Sequence, residues 1–456
     1  MSFELKTEND LYMQRILEDT FFKEWKNPGR NENFRAIEIE INASCNANCI
    51  YCYYTNFGEE LYPKSISHSE TILKNIHALL IWLTDNNYKP EIDIFTGEVF
   101  TQKLGRDVLD LIYTFYKDIG PERRPPAIIV PTNFSFLLKE NLTEYVEETL
   151  YKFNEINMPM RLSTSVDGKY MEKDNRPFRY VLHSGEEDPR DDAYYDKLFA
   201  FNKKHRVGFH PMVYSNKIED WPKNFLWFQE MFNKYDIPWS ILYLLEVRNA
   251  EWSQRQIIDF GKFVKFLIHW TWEKVGKDEK EYMDFLRNGG GFNMLASPLS
   301  KIGRGLGCSL QSMLYFRAGD MTVNPCHRTM YQGMEYFRFK TIDGMIVGIE
   351  ASNPELITTI LSTDFSNSPY CEICDINKVC SKGCIGSQYE TTGDFFTPIP
   401  TVCEMEHMKI LAMIEAYQEI GIEPWKQSDE TICSAWETVI NIKKDLGLTI
   451  EREETK

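Results

Sequence analysis

Two hydrophobic periods take turns along the chain. In some segments every second position is apolar, as in AIEIEIN at Ala36–Asn42; in others the apolar positions recur every three or four residues. The first period fits a strand and the second a helix. Strands are therefore predicted over Ala36–Asn42, Glu91–Gly97, Ala127–Asn133, Met160–Gly168, Val207–Tyr214 and Trp239–Val247. Helices are predicted between them, over Ser69–Thr84, Gly105–Lys117, Leu142–Phe153, Asp192–Lys203 and Pro222–Asn233. Six strands alternating with helices point to a parallel β/α arrangement. Curved, this is a partial (β/α)6 TIM-like barrel spanning 36–250, with its chemistry at the C-terminal ends of the strands.

The flanking segments differ. Residues 1–35 read as a helical extension that ends in the polar breaker NPGRNEN. Residues 251–306 read as a helical bridging region, aromatic-rich over 254–287, with a boundary marked by the glycine-rich RNGGGF. Residues 307–410 show little regular periodicity but are dense in cysteine, and a polar helix begins near Glu404 and runs to Ile420. A last amphipathic segment completes 411–456. There is no internal repeat or low-complexity tract.

Composition narrows the function. The 456 residues suffice for one large domain and a smaller one. A net charge of −17 disfavours binding to a phosphate backbone, and the basic runs Arg123–Arg124 and Lys203–Lys204 are short, so no nucleic-acid partner is expected. The N-terminal stretch is acidic and amphipathic, without a basic region leading into an apolar one. The longest apolar run, Ile76–Leu83, is too short to span a bilayer. These features lead us to expect a soluble, cytoplasmic protein with no membrane partner. Its eleven cysteines should then be reduced, which favours metal or redox cofactors over disulfides.

Three of those cysteines follow the first strand directly. In SCNANCIYCYY, Cys45, Cys49 and Cys52 are spaced C-x3-C-x2-C. A disulfide uses two thiols and a closed tetrahedral metal site four. Three thiolates in one loop can hold three corners of a cubane [4Fe–4S] cluster and leave the last iron free for another ligand. A zinc loop with a distant fourth ligand is the alternative reading. The triplet and its flanks are similar to the CNxxCxYCY loop of radical S-adenosylmethionine (radical SAM) enzymes. The resemblance implies that S-adenosylmethionine chelates the open iron. One electron then cleaves it to a 5′-deoxyadenosyl radical, which takes hydrogen from an unactivated carbon.

Other segments resemble further motifs of that family. FTGEVF stands where the family carries GGEP, with Thr96 and Val99 replacing the first glycine and the proline. Gly97 and Glu98 remain, and the resemblance implies that the carboxylate receives the methionine ammonium. Asn133 in PTNF resembles the TNG turn. STSVDGKYMEKDNRP resembles the stretch after the fourth strand, which implies that Ser165 contacts the cofactor and Arg176 its carboxylate. The plainer readings are a turn at Asp167–Gly168 and a surface ion pair for Arg176. Tyr51, between the second and third cysteines, is expected to line the adenine site through its backbone.

A second field holds Cys308, Cys326, Cys371, Cys374, Cys380, Cys384 and Cys403. Its centre, CEICDINKVCSKGC, is C-x2-C-x5-C-x3-C, and the whole order resembles the seven-cysteine SPASM domain. Structural zinc sites are the alternative. The resemblance implies two auxiliary [4Fe–4S] clusters, three in all. Cys371, Cys374, Cys380 and Cys403 would ligate the outer one, and Cys308, Cys326 and Cys384 the inner one. Some relatives place a fourth inner cysteine where this chain has Leu314. The remaining thiol, Cys433, looks like a buried small hydrophobe. Without it the inner cluster has an open iron, free to bind a substrate thiolate.

SPASM relatives mostly modify peptide or protein side chains. The expectation is therefore an oxidoreductase maturing a ribosomally made peptide, with a thioether or other crosslink as product. The alternatives are oxidation of a Cys or Ser on a protein substrate, in the manner of anaerobic sulfatase-maturing enzymes, and a non-catalytic zinc or iron–sulfur scaffold. Partners implied are the precursor peptide and a flavodoxin- or ferredoxin-type electron donor. About 35 residues precede the first strand, too few for an independent leader-binding module. Leader recognition is thus expected from a separate protein or from the barrel itself. Asp320, His210, His327 and Tyr243 are candidates for handling a proton, and the sequence does not choose among them.

Overall fold

The computed structural model describes residues 7–21, 34–42, 44–56, 67–95, 97–287, 292–299, 310–330, 333–362 and 368–450. They form two compact units, neither contiguous in sequence: 1–164, 177–198 and 309–362 in the first, and 165–176, 199–308 and 363–456 in the second.

In the first unit, strands β1 (Ala36–Glu40), β2 (Glu91–Asp93), β3 (Ile128–Thr132) and β4 (Met160–Thr164) run parallel and pair in sequence order. Helices α1 (Glu8–Thr20), α2 (Ser69–Asp85), α3 (Lys103–Lys117) and α4 (Glu140–Glu155) belong to the same unit. α1 starts at a capping box in which Thr7 and Asp10 satisfy each other's backbone amides. α3 buries Val108, Leu109, Ile112 and Tyr116, the stripe its sequence period implies. Its start is fixed by Gly105, where a Cβ would lie 2.2 Å from the Val99 carbonyl oxygen.

The second unit carries the fifth and sixth predicted strand regions in shortened form. They comprise β5 (Gly208–Phe209), β6 (Met212–Val213) and β7 (Leu245–Glu246), with β6 and β7 parallel. A single turn of 3-10 helix, Trp239–Ile241, replaces the start of the sixth. Helix α5 (Asp192–His205) precedes β5, and α6 (Trp221–Tyr235) stands between β6 and β7. Beyond β7, α7 (Gln254–Lys274) packs along α10 (Pro400–Ile420), close enough that a Cβ on Gly261 would sit 2.7 Å from Met408. α8 (Glu279–Arg287) and α11 (Glu430–Asp445) complete this helical part.

The cysteine-dense stretch is more regular than its sequence suggests. It contains β8 (Met313–Arg317), β9 (Thr322–Asn324), β10 (Phe337–Ile342) and β11 (Met345–Ala351), followed by α9 (Pro354–Ser362). β8 pairs parallel to β1, and β9 to β11 continue antiparallel from it. The sheet of the first unit therefore runs β11-β10-β9-β8-β1-β2-β3-β4. β1 lies inside it, and both of its faces are buried: Ile37 and Ile39 on one, Glu38 and Glu40 on the other.

Candidate active site

The three-cysteine loop leaves the C-terminal end of β1, and its backbone is pinned from two sides. The Asn48 amide donates to the Pro177 carbonyl at 2.8 Å, and the Arg179 amide to the Asn46 carbonyl at 2.8 Å. The Arg179 side chain donates from Nε to the Ala47 carbonyl at 3.1 Å. Within the loop, the Cys52 amide donates to the Cys49 carbonyl at 3.0 Å, and the Ala47 amide points at Cys45 Sγ from 3.4 Å. Cys45, Cys49, Tyr51 and Cys52 are all half-buried.

The ends of β2 and β3 close on this loop. Glu98 is buried, with Oε1 accepting from the Thr132 hydroxyl at 2.9 Å and Oε2 from the Asn133 amide at 2.7 Å. Burial pushes its carboxyl up to about 7, against the pull of those two donors. The Asn133 side chain donates to Asn46 Oδ1 at 2.8 Å, and Asn46 donates to the Ser135 hydroxyl at 2.8 Å. Gly97 is held at φ +47°, where a Cβ would lie 1.8 Å from the Ser44 carbonyl oxygen. Only glycine lets the second strand's end approach the residue before Cys45 so closely. Phe134 adopts φ +59°, the left-handed conformation that a TNG turn would give to glycine. The Asn133 side chain supports it by accepting from the Ser135 amide at 3.0 Å.

Sequence reasoning singled out Gly97, Glu98 and Asn133, and the structure gathers them around the triplet. It missed Asn46, which links β3 to the loop, and it missed Glu38. His327 Nδ1 lies 2.9 and 3.0 Å from the two Glu38 carboxylate oxygens, and the His327 amide donates to Oε2 at 3.2 Å. The imidazole stacks on Phe95 at 4.0 Å and on Tyr53, beside Cys52, at 5.7 Å. Of the four proton-handling candidates it is the one held by a buried carboxylate. Asp320 accepts from the Thr322 amide and hydroxyl in a turn, and His210 packs edge-on against Tyr243.

In the second unit, Cys371, Cys374, Cys380 and Cys403 line one cavity of about 460 Å³, together with Asn377, Lys382 and His407. An adjoining cavity of about 40 Å³ is lined by Cys371, Cys380, Cys384, Cys403 and Arg248. The predicted outer set of four thiols thus converges on one hollow. Burial pushes the Cys380 thiol up to about 12, and the Cys403 thiol, also beside Cys371 and Cys374, up to about 11. Cys45 in the first unit rises to about 12, through burial and the nearby Glu98 carboxylate. Thiols in such surroundings lose their protons to a thiophilic metal rather than to water. The ten described cysteines are unbridged. The donor sets therefore fit iron–sulfur centres. Cys374, Asp375 and His407 also bring a sulfur, an oxygen and a nitrogen within 4.8 Å of one another.

The chain is similar to a solved structure of polyhistidine-tagged anSMEcpe with AdoMet bound, at a TM-score of 0.56 and 16% identity over 89% of this chain and 98% of that one. Native anSMEcpe with AdoMet bound gives 0.55 and 15%, over 85% and 99%. At these identities the likeness is one of fold, and the fold is that of anSMEcpe. Streptococcus suis SuiB bound to its precursor peptide SuiA matches at 0.47 and 11%, over 81% and 76%. No family model matches the chain, and no curated protein matches it in sequence.

On this fold the other predicted residues are placed as follows. Ser165 is half-buried in the second unit. Arg176, in the same unit, is buried and pairs through Nε with the fully buried Asp167 at 3.1 Å, which corrects the surface ion pair offered as its plainer reading. Asp167 also accepts from the Met212 amide at 2.8 Å. Cys326 follows β9 in the first unit, and Cys384 caps the helix Ile385–Thr392 in the second. Cys308 lies outside the described residues. Leu314 is buried on β8. Cys433 departs from expectation: it is half-exposed on α11 with Sγ 3.8 Å from Glu437 Oε1, not a buried hydrophobe. Among the described residues no helix is long and apolar enough to cross a membrane.

Proposed function

We propose that this chain is a radical SAM maturase that modifies a side chain of a peptide or protein. The observation that carries the proposal is the pinned Cys45–Cys49–Cys52 loop at the end of β1, with buried Glu98 and Asn133 closing on it from β2 and β3. In this reading the three cysteines hold the SAM-binding [4Fe–4S] cluster. Bound together, cluster and S-adenosylmethionine would supply one-electron cleavage of the sulfonium and hydrogen-atom abstraction from carbon. Glu98 offers its remaining lone pairs to the methionine ammonium, Asn133 and Asn46 fix the loop, and Tyr51 borders the adenine. Ser165 and Arg176 complete the cofactor contacts in this reading. His327, oriented by Glu38, would take the proton that leaves the substrate radical, while the auxiliary clusters, when bound, would accept its electron.

Cys371, Cys374, Cys380 and Cys403 hold the outer auxiliary cluster, and Cys308, Cys326 and Cys384 the inner one, for three clusters in all. With Cys433 half-exposed beside Glu437, the inner set keeps an open position for a substrate thiolate. That favours a thioether or related crosslink in a ribosomally made precursor peptide. Electrons come from a flavodoxin- or ferredoxin-type donor, and a separate protein can present the leader. The second reading, oxidation of a Cys or Ser on a protein, draws support from the resemblance in fold to anSMEcpe.

The deciding experiment is anaerobic reconstitution, reduction with dithionite and addition of S-adenosylmethionine. The proposal expects 5′-deoxyadenosine from the wild type and none from Cys49→Ala. Equal, negligible yields from both would overturn it. A colourless protein that binds zinc instead would favour the scaffold. A short cysteine-containing reading frame beside the gene favours peptide maturation, and a sulfatase gene favours the second reading.

A further inference from the structure

The cavity lined by the four C-terminal cysteines is lined also by a histidine that the cysteine pattern does not include. His407 stands one helical turn beyond Cys403 on α10, so both side chains face the same hollow. Its Nε2 lies 3.6 Å from Cys374 Sγ and 3.6 Å from Asp375 Oδ1. Its Nδ1 lies 3.2 Å from Lys443 Nζ, and that ammonium lies 3.2 Å from Asp375 Oδ2. Lys443 comes from α11, beyond the cysteine motif, and is itself buried.

The tautomer follows from the inventory of donors. An ammonium has three N–H bonds and no lone pair to offer, so the nitrogen facing it must accept. Nδ1 is therefore the bare nitrogen, and Nε2 carries the hydrogen. That hydrogen points at the Cys374 sulfur, with the Asp375 carboxylate as a second acceptor. A ring locked in this way cannot ligate a metal through Nε2, because its lone pair is occupied by the proton. It can donate to a thiolate that does.

We propose that His407 is a positioning residue for the outer redox centre. Its N–H···S bond to Cys374, locked by Lys443 and Asp375, draws charge from the thiolate and makes that centre easier to reduce. The inference rests on the reading that Cys371, Cys374, Cys380 and Cys403 hold an iron–sulfur cluster. Hydrogen bonds to cluster sulfurs stabilise the form with more negative charge, and partners behind the ligands are among the protein's means of setting a potential. Lys443 then acts through His407. Without it the ring can turn over or change tautomer, and the sulfur loses its donor.

The test is a potentiometric titration with dithionite, followed by electron paramagnetic resonance, on the full-length reconstituted enzyme. The variants are His407→Phe, His407→Gln and Lys443→Met, each with its iron counted. His407→Phe should keep its iron and make one couple about tenfold harder to reduce, a shift of about 59 mV for one electron, with the other couples unmoved. His407→Gln, which retains an N–H at similar reach, should restore most of the shift. Lys443→Met should fall between. Unchanged couples in His407→Phe and Lys443→Met, with iron retained, would overturn the proposal. So would loss of the outer cluster's iron from both His407 variants, since His407 would then be a ligand. Full iron in Cys374→Ala would overturn the cluster reading itself, and the proposal with it.

Discussion

The Glu38 carboxylate reaches both of its oxygens to His327 Nδ1, at 2.9 and 3.0 Å, while the ring stacks on Phe95 and Tyr53. A carboxylate at Nδ1 holds the proton there and leaves Nε2 as the basic nitrogen. If His327 takes the substrate's proton, Glu38→Gln should lower product formation about 10- to 100-fold, the scale seen when a residue orienting a functional side chain is lost. The cysteine loop is untouched by the change, so 5′-deoxyadenosine should still form, uncoupled from product. Chromatographic quantification of both in one reaction checks this. Equal losses of the two would place Glu38 in the loop's support instead.

Gly97 makes a sharper prediction about the loop. A methyl group at this position would overlap the Ser44 carbonyl oxygen at 1.8 Å, and the backbone sits at φ +47°. Neither Ser44 nor the end of β2 can yield without moving Cys45 or Glu98. Gly97→Ala should therefore fold but lose roughly four irons per chain, one cluster's worth. Gly348, on β11, has nothing within 4 Å of where its Cβ would be. Gly348→Ala should keep the full iron count, measured by colorimetric iron assay after reconstitution.

The alternation of β1 to β4 with α2 to α4 was legible because each element follows one hydrophobic period over many residues. The triplet and its closing residues were legible because they are local in sequence, within a few positions of a strand end. Glu38 was not, because its partner lies 289 residues away and a glutamate in an alternating strand reads as an outward face. β8 to β11 were overlooked for another reason: cysteines, glycines and short strands blurred the period. One signal was present. Asp343 and Gly344 join β10 to β11 at positive φ, 50° and 80°, with Ile342 opposite Met345. An Asp-Gly pair between alternating hydrophobic positions is a strong mark of a two-residue hairpin. The environment of Cys433 could not be read either, because a helical period says which face a residue occupies but not what covers it.

The four-thiol cavity separates structural from incidental cysteines. Cys380→Ala and Cys403→Ala remove two walls of the same hollow, and each should cost roughly four irons per chain. Cys433→Ala removes a half-exposed thiol beside Glu437 and should leave the count unchanged. Iron loss in Cys433→Ala would assign it to the inner cluster and close the position proposed for a substrate thiolate.

Glu40 ties stability to pH. It is buried on β1, and Arg317 Nε lies 3.0 Å from Oε2. Burial raises its carboxyl to about 7 despite Arg317. An acid raised on folding binds its proton more tightly in the native state, so its contribution is complete below the ordinary value of 4.5 and is lost as pH climbs through 7. The shift corresponds to roughly 3 kcal/mol. Anaerobic urea titrations at pH 5 and pH 8 should show the wild type losing stability between them, and Glu40→Gln losing markedly less.

The second unit hides an ion cluster behind its cysteines. Lys409 Nζ, with no exposed surface, donates to Glu406 Oε1 at 2.6 Å, Ser381 Oγ at 2.9 Å and Glu246 Oε1 at 3.3 Å. Arg248 Nη2 reaches Glu246 at 2.6 Å and Glu406 at 3.2 Å. Burial alone would raise both carboxyls, yet Lys409 and Arg248 hold them below their ordinary values. Two carboxylates thus balance two cations, the fully buried Lys409 and the partly exposed Arg248. Lys409→Met keeps the length of the side chain and removes one cation, leaving a buried negative charge without its partner. Breaking such a pair costs about 3–5 kcal/mol, because the survivor is still desolvated. Lys409→Met with Glu406→Gln removes one charge of each sign and should recover part of the loss. Glu406 also anchors the Ser381 amide, at 3.0 Å, next to Cys380, so the single variant should shed iron from the outer site as it loosens. Urea denaturation and iron counts on the single and double variants check both expectations, and a single variant as stable as the wild type would contradict the charge balance.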